Sequence, residues 1–100
     1  MIDLKKIQKD VYQNKLDKNF NVTDIGMEFC LTHEELSEAY RAYYKKLPDL
    51  GEELADVAIY LLGLSEILGV NLEEEILKKI EKNKKRVYKK INDVNIRVKE

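Results

Sequence analysis

"GEELADVAIYLLGLSEILGV", residues 51–70, is the stretch whose reading decides the fold. It opens on acids, continues as an almost unbroken apolar run, and reaches Gly69, which can take the left-handed conformation that ends a helix. A helix over about Gly51 to Leu68 follows. Its longest nearly uncharged run, Val57 to Ser65, falls far short of the roughly 20 residues that span a bilayer. "VAIYLLGL" is apolar almost all around, so this helix needs cover on every side from other protein segments.

On the N-terminal side, Pro48 disfavours helical geometry at Leu47 and closes a preceding helix that runs from about Ile25 to Lys46. The link is short, so the two helices are expected to be antiparallel neighbours. Upstream, Leu4, Ile7, Val11 and Tyr12 share one side of a first helix, Asp3 to about Lys18, with Asp3 as its cap. "NFNVTD" at 19–24 is a loop. On the C-terminal side, Asn71 caps a fourth helix, with Glu74 three positions on as in a capping box, and the helix is expected to continue to about Lys90. The remaining "INDVNIRVKE" alternates apolar and polar residues without an evident partner, and residues 91–100 are left as a tail of undefined structure. The expectation is one all-α domain over residues 1–100, a four-helix bundle with its core in 24–90.

Hydrophobic residues at 44% and charged residues at 37% give the profile of a globular, helix-rich chain and argue against disorder. A chain this small buries only about two thirds of its unfolded surface, so assembly into a homodimer, or a tetramer, enters the reading early. The net charge of −1 excludes a strong global field for nucleic acid, although residues 78–90 hold eight Lys or Arg against the single acid Glu81. With one cysteine, Cys30, there is no intramolecular disulfide, and "MIDLKKIQKD" has no apolar signal core. Both features point to a cytoplasmic protein with no membrane span.

Two acidic pentads, "EELSE" at 34–38 and "EELAD" at 52–56, open apolar stretches. At about 100° per residue, Glu53 and Asp56 lie on one side of their helix, in line with Val57, Tyr60, Leu64 and Ile67. Glu52 and Glu66 fall on the opposite flank with Ala55. The other helix repeats the split: Glu35 lines up with Leu31, Ala39 and Ala42, Glu38 lies at the border, and Glu34 shares a charged side with Arg41 and Lys45. Antiparallel packing would bring Glu35, Glu38, Glu53 and Asp56 together, where like charges raise one another's pKa unless a cation neutralises them. Oxygen donors of this kind suit Mg²⁺. A di-iron bundle needs two Glu-x-x-His pairs, and the only histidine, His33, follows Cys30 at that spacing. His33 reads as a partly exposed helix residue and Cys30 as a small buried one.

Glu-x-x-Glu, a short link, then Glu-x-x-Asp opening an apolar helix resembles the MazG-like nucleotide pyrophosphohydrolases of the all-α NTP pyrophosphatase superfamily. The likeness runs over residues 33–88 through "EELSEA", "GEELADVAIYLLGL", "LGVNL" and "KIEKNKKR". The resemblance implies Mg²⁺ held by Glu35, Glu38, Glu53 and Asp56; a carboxylate not fully used as a ligand can take a proton from water, and Glu38 is the candidate for that base. It also implies substrate phosphates met by Lys79, Asn83 and Arg86, which share one helix face at i, i+4, i+7. The implied reaction is hydrolysis of nucleoside triphosphates between the α and β phosphates, a nucleotide-pool cleaning role carried out by a dimer whose sites can draw on both subunits. Alternatives are a phosphoribosyl-ATP pyrophosphatase, a dUTP- or dCTP-specific hydrolase of the same superfamily, or a non-enzymatic helical module that uses its basic fourth helix to bind an acidic partner. Tyr12, Phe20 and Phe29 are the possible base-stacking groups, though core packing is the better reading of each.

Overall fold

The computed structural model describes residues 1–92 and 94–99. Four helices, α1 (Leu4–Asp17), α2 (Ile25–Tyr44), α3 (Leu50–Ile67) and α4 (Leu72–Lys85), precede a two-stranded antiparallel hairpin of β1 (Val87–Ile91) and β2 (Val94–Lys99). The ends of the helices follow from their local chemistry. Asp3, Asp24 and Asn71 each accept a hydrogen bond from the backbone N–H three residues on, at 3.0 to 3.1 Å, satisfying donors that a helix start leaves open. At the other end of α3, Gly69 at φ 71° lets the Val70 N–H return to the Ser65 carbonyl at 2.9 Å.

The apolar stretch at 51–70 forms the central helix, as its composition requires: α3 packs against α2 on one side and α1 on the other. Among the described residues the fully buried apolar ones are Ala39, Ala42, Leu62 and Leu64, so α2 turns small alanines inward where it packs against α3. Against α1, Gly63 has the same effect. A Cβ there would lie 3.1 Å from Lys15 Cε and 3.2 Å from Val11 Cγ1, so only glycine accommodates the buried lysine stem without displacing it. The ammonium of Lys15 meets Glu28 Oε1 at 2.7 Å, the other Glu28 oxygen accepts from Asn21 Nδ2 at 3.0 Å, and the Tyr60 ring lies 5.4 Å from the charge. Glu28 is 1% exposed, and this network fully satisfies it.

The fourth helix departs from expectation. It stops at Lys85, not near Lys90, because Arg86 turns to extended backbone (φ −74°, ψ 140°) and the following β-branched residues alternate as strands. Asn92, at φ 52°, supplies the left-handed residue that a tight hairpin turn needs. Of the stretch left as an undefined tail, Ile91 ends β1 and Val94–Lys99 form β2, paired through Ile91 with Val94 and Lys90 with Asn95, while residues 93 and 100 lie outside the described residues. The root of α4 is fixed to α1: the Leu4 N–H donates to Glu73 Oε1 at 3.0 Å, and the Leu72 N–H donates to Gln8 Oε1 at 3.3 Å. Beyond Glu73 every residue of α4 is exposed. Cys30 is exposed, against the expectation that it is buried, and Glu66 leaves its expected solvated flank to accept from Gln8 Nε2 at 2.9 Å. Among the described residues no helix is long and apolar enough to cross a membrane.

Candidate functional site

The antiparallel seam of α2 and α3 carries the acidic residues where the Pro48 link joins the two helices. One carboxylate oxygen each from Glu35, Glu38 and Glu53 lies within 4.8 Å of the others. Asp56, half-buried one turn along α3 from Glu53, does not join that tight set but is near enough to act on both Glu35 and Glu53 electrostatically. Helical phase separates most of the acids as expected: Glu35, Glu53 and Asp56 are half-buried and Glu34 and Glu52 are exposed, whereas Glu38, at the border but expected with the inner set, is exposed.

Proximity costs these groups their ordinary acidity. Burial, then the neighbouring Glu38 carboxylate, with Asp56 and Glu53 behind it, raises Glu35 from 4.5 to about 6. Glu53 is raised by loss of solvent, then by Asp49, Glu38, Asp56 and Glu52. Tyr60, further inward on α3, is raised by burial and by Glu35, Glu28, Asp56 and Glu38. Two buried oxygens, Glu53 Oε2 and Asp49 Oδ1, have no hydrogen-bond partner. Both residues line one open cleft of about 380 Å³, together with Glu38, Arg41, Ala42 and Lys45. Asp49 stands at the N-cap of α3 yet makes no side-chain cap bond. Unpartnered buried acceptors carry a desolvation penalty, and a cation in the cleft would relieve it.

The basic set is arranged differently. Arg86 Nη1 donates to Asn83 Oδ1 at 2.9 Å, so these two act as a unit at the end of α4. Lys79 lies on the same helix, whose packing is to α1, and the cleft beside the carboxylates is lined by α2, α3 and the link between them. Within one chain the structure brings Glu35, Glu38 and Glu53 together on the α2–α3 seam with Asp56 close by, and places Lys79 and Asn83 on α4 and Arg86 at its extended C-cap, so the helix face expected to carry all three basic-site residues does not continue to Arg86. Of the aromatic residues read as core, Phe20 and Phe29 are about half exposed, while Tyr12 is partly covered. Phe20 borders a small recess with Tyr60, Asn14 and Lys15, and Phe29 a second with Leu36, Val57 and Leu61.

The Lys15–Glu28–Asn21 network has almost no signature in the sequence. Only the phase of Lys15, one turn after Val11, points inward. No family model, curated protein or solved structure matches the chain. The resemblance therefore rests on the motifs within residues 33–88 alone.

Proposed function

We propose that the chain is an Mg²⁺-dependent nucleoside triphosphate pyrophosphohydrolase, cleaving between the α and β phosphates to release a monophosphate and pyrophosphate. The observation that carries this reading is the convergence of Glu35, Glu38 and Glu53 beside orphaned buried oxygens of Glu53 and Asp49. An all-oxygen donor set of high negative charge suits a hard divalent cation, and Glu35, Glu38, Glu53 and Asp56 would hold it. When bound, Mg²⁺ supplies charge neutralisation for the phosphate oxygens and acidifies water.

The remaining work falls to side chains. Glu38 is the most exposed of the three converging carboxylates, so it is placed to take a proton from water in the cleft while Glu35 and Glu53 stay committed as donors. Arg86 offers a fork of donors and Lys79 a point charge, both suited to phosphate oxygens, and Asn83 orients Arg86 through their hydrogen bond. Lys79 and Asn83 lie on α4 and Arg86 at its C-cap, so a site that uses them is best completed by a second copy, in a homodimer. A purely interacting helical module has no use for acids held on the inner face of the seam, which favours the enzymatic reading over the non-enzymatic one.

The test is pyrophosphate release from a panel of ribo- and deoxynucleoside triphosphates, with Mg²⁺ and with EDTA. Mg²⁺-dependent release is expected. Absence of release from every substrate, together with no Mg²⁺-induced rise in thermal stability, would sink the reading.

A further inference from the structure

We propose that Arg41 and Lys45 hold the terminal phosphates of the substrate, so that the α2–α3 cleft of a single chain recognises a divalent cation and a polyphosphate together, as one complex. The assignment rests on the metal-dependent reading above, and adds to it a pair of phosphate-binding residues that needs no second copy.

The phase of α2 makes the pair. At about 100° per residue, Glu38, Arg41 and Lys45 fall within about 60° of one another, so one stripe of the helix changes sign along its length. By sequence Arg41 and Lys45 share a charged, solvated side with Glu34. In the fold both are exposed, yet both border the open cleft of about 380 Å³ that Glu38, Asp49 and Glu53 also line. The buried Ala42 between them ends at its Cβ and leaves the cleft unfilled.

Neither cation is spent within the fold. Among the described residues the Arg41 guanidinium and the Lys45 ammonium make no salt bridge, although three carboxylates line the same cleft. Lys15, the cation beside Tyr60, is by contrast committed to Glu28 at 2.7 Å. The acids of the cleft are also unsatisfied, with Glu53 Oε2 and Asp49 Oδ1 buried and unpartnered.

Such a lining selects its ligand by charge. A bare divalent cation is repelled by Arg41 and Lys45, and a bare polyphosphate by Glu38, Asp49 and Glu53. A cation chelated by polyphosphate turns metal toward the carboxylates and oxygens toward the guanidinium and ammonium, and neither half of the site opposes it. Arg41 suits two oxygens of one phosphate, and Lys45 a point contact. The order of charges also sets a direction. The seam runs from Glu35 and Asp56 through Glu38 and Glu53 to the two bases at the Pro48 link, and α2 rises about 10 Å from Glu38 to Lys45. The phosphates furthest from the nucleoside therefore lie toward the link, and pyrophosphate departs at that end. Bases at the C-terminal end of a helix also offset its dipole, but that role shows in stability and leaves ligand affinity unmoved.

The experiment is isothermal titration calorimetry of the full chain with MgCl₂ alone, with pyrophosphate in EDTA, and with pyrophosphate in excess Mg²⁺. Wild type should bind pyrophosphate at least about tenfold more tightly with Mg²⁺ than in EDTA. Arg41→Gln/Lys45→Gln should weaken Mg²⁺-pyrophosphate at least about tenfold, bind Mg²⁺ alone no more weakly than wild type, and keep its helical circular dichroism. Arg41→Lys/Lys45→Arg, which retains both charges, should recover most of the affinity. Lys9→Gln, which removes an exposed charge on α1 outside this cleft, should bind as wild type does. A nucleoside triphosphate should follow pyrophosphate, whereas a nucleoside monophosphate, too short to reach the pair, should bind equally to wild type and the double variant. Mg²⁺-pyrophosphate binding that depends on the pair, without turnover of any triphosphate, would support the pair and overturn the catalytic reading. Turnover with KM and Mg²⁺-pyrophosphate affinity unchanged in the double variant would overturn the pair and leave the catalytic reading standing. A wild type whose pyrophosphate affinity ignores Mg²⁺ would likewise overturn the proposal.

Discussion

Glu52 and Glu53 are adjacent in sequence and identical in chemistry, and the helix gives them opposite surroundings: Glu52 is exposed, and Glu53 keeps one oxygen buried without a partner. On the proposed reading, Glu53→Gln abolishes Mg²⁺-dependent pyrophosphate release, a loss on the order of 100-fold or more for a lost metal donor, whereas Glu52→Gln stays within about twofold. Equal losses in the steady-state assay would refute the assignment of faces. Glu35 makes a second prediction at this scale. Its carboxyl is raised from 4.5 to about 6 in the folded protein, so between those values the native state binds more protons than the unfolded chain. Its contribution therefore weakens the fold as pH climbs through the window from about 4.5 to 6, and stays level above it. In EDTA the Tm of wild type should lose ground to that of Glu35→Gln across this window, and Mg²⁺ should recover it above about pH 6, where the carboxylate is charged and free to coordinate. Parallel pH profiles for the two proteins would contradict burial and neighbouring carboxylates as the source of this pH dependence.

At the scale of elements, the joint between α1, α2 and α3 is held by an ion pair inside the fold. Lys15 reaches past Gly63 to Glu28, which is 1% exposed. Removing one partner leaves a charge with nowhere to go, at a cost of about 3–5 kcal/mol for buried pairs, while removing both leaves a neutral site. Lys15→Met is therefore expected to lower urea-derived stability by that amount, and Lys15→Met/Glu28→Leu to recover most of it. If the double variant is as unstable as the single, packing and not charge holds the joint. The sequence discloses such features unevenly. The elements α1, α2 and α3, the caps at Asp3 and Asn71 and the stop at Gly69 are legible because each depends on neighbours within a turn. The inner set Glu35, Glu53 and Asp56 is legible because helical phase is also local. The Lys15–Glu28 pair spans a loop, and Gln8–Glu66 joins residues 58 positions apart, so neither leaves a local pattern. The hairpin is hidden because "EKNKKRVYKKIN", residues 81–92, continues a lysine-rich helical composition, and only the β-branched residues after Arg86 mark the change.

The molecule as a whole is a small core with a large exposed surface. Its fully buried apolar residues are two alanines and two leucines among those described, and Leu54, Ile59, Leu61 and Leu68 remain exposed on or at the end of α3, the helix whose composition calls for cover on every side. A fold that gains its missing burial from a second copy has a stability inseparable from protomer concentration. The midpoint of thermal unfolding should therefore rise with protein concentration, by several degrees over roughly a hundredfold range, since linkage at 100 Kd is worth about 2.7 kcal/mol. Salt separates this from ordinary surface electrostatics. The exposed intrachain pairs, Lys6–Asp10, Lys78–Glu74 and Lys84–Glu81, are of the kind that contributes little, so a monomer's midpoint should hardly move with NaCl. A homodimer that brings Lys79 and Arg86 to the carboxylates of a second copy makes a contact that salt screens directly, so the concentration-dependent part of the midpoint should shrink as NaCl is added. Scanning calorimetry over a grid of protein and salt concentrations reads both dependences at once. A midpoint that ignores concentration at low salt would mean that the exposed apolar surface of α3 and α4 is tolerated in water and that the fold needs no second copy.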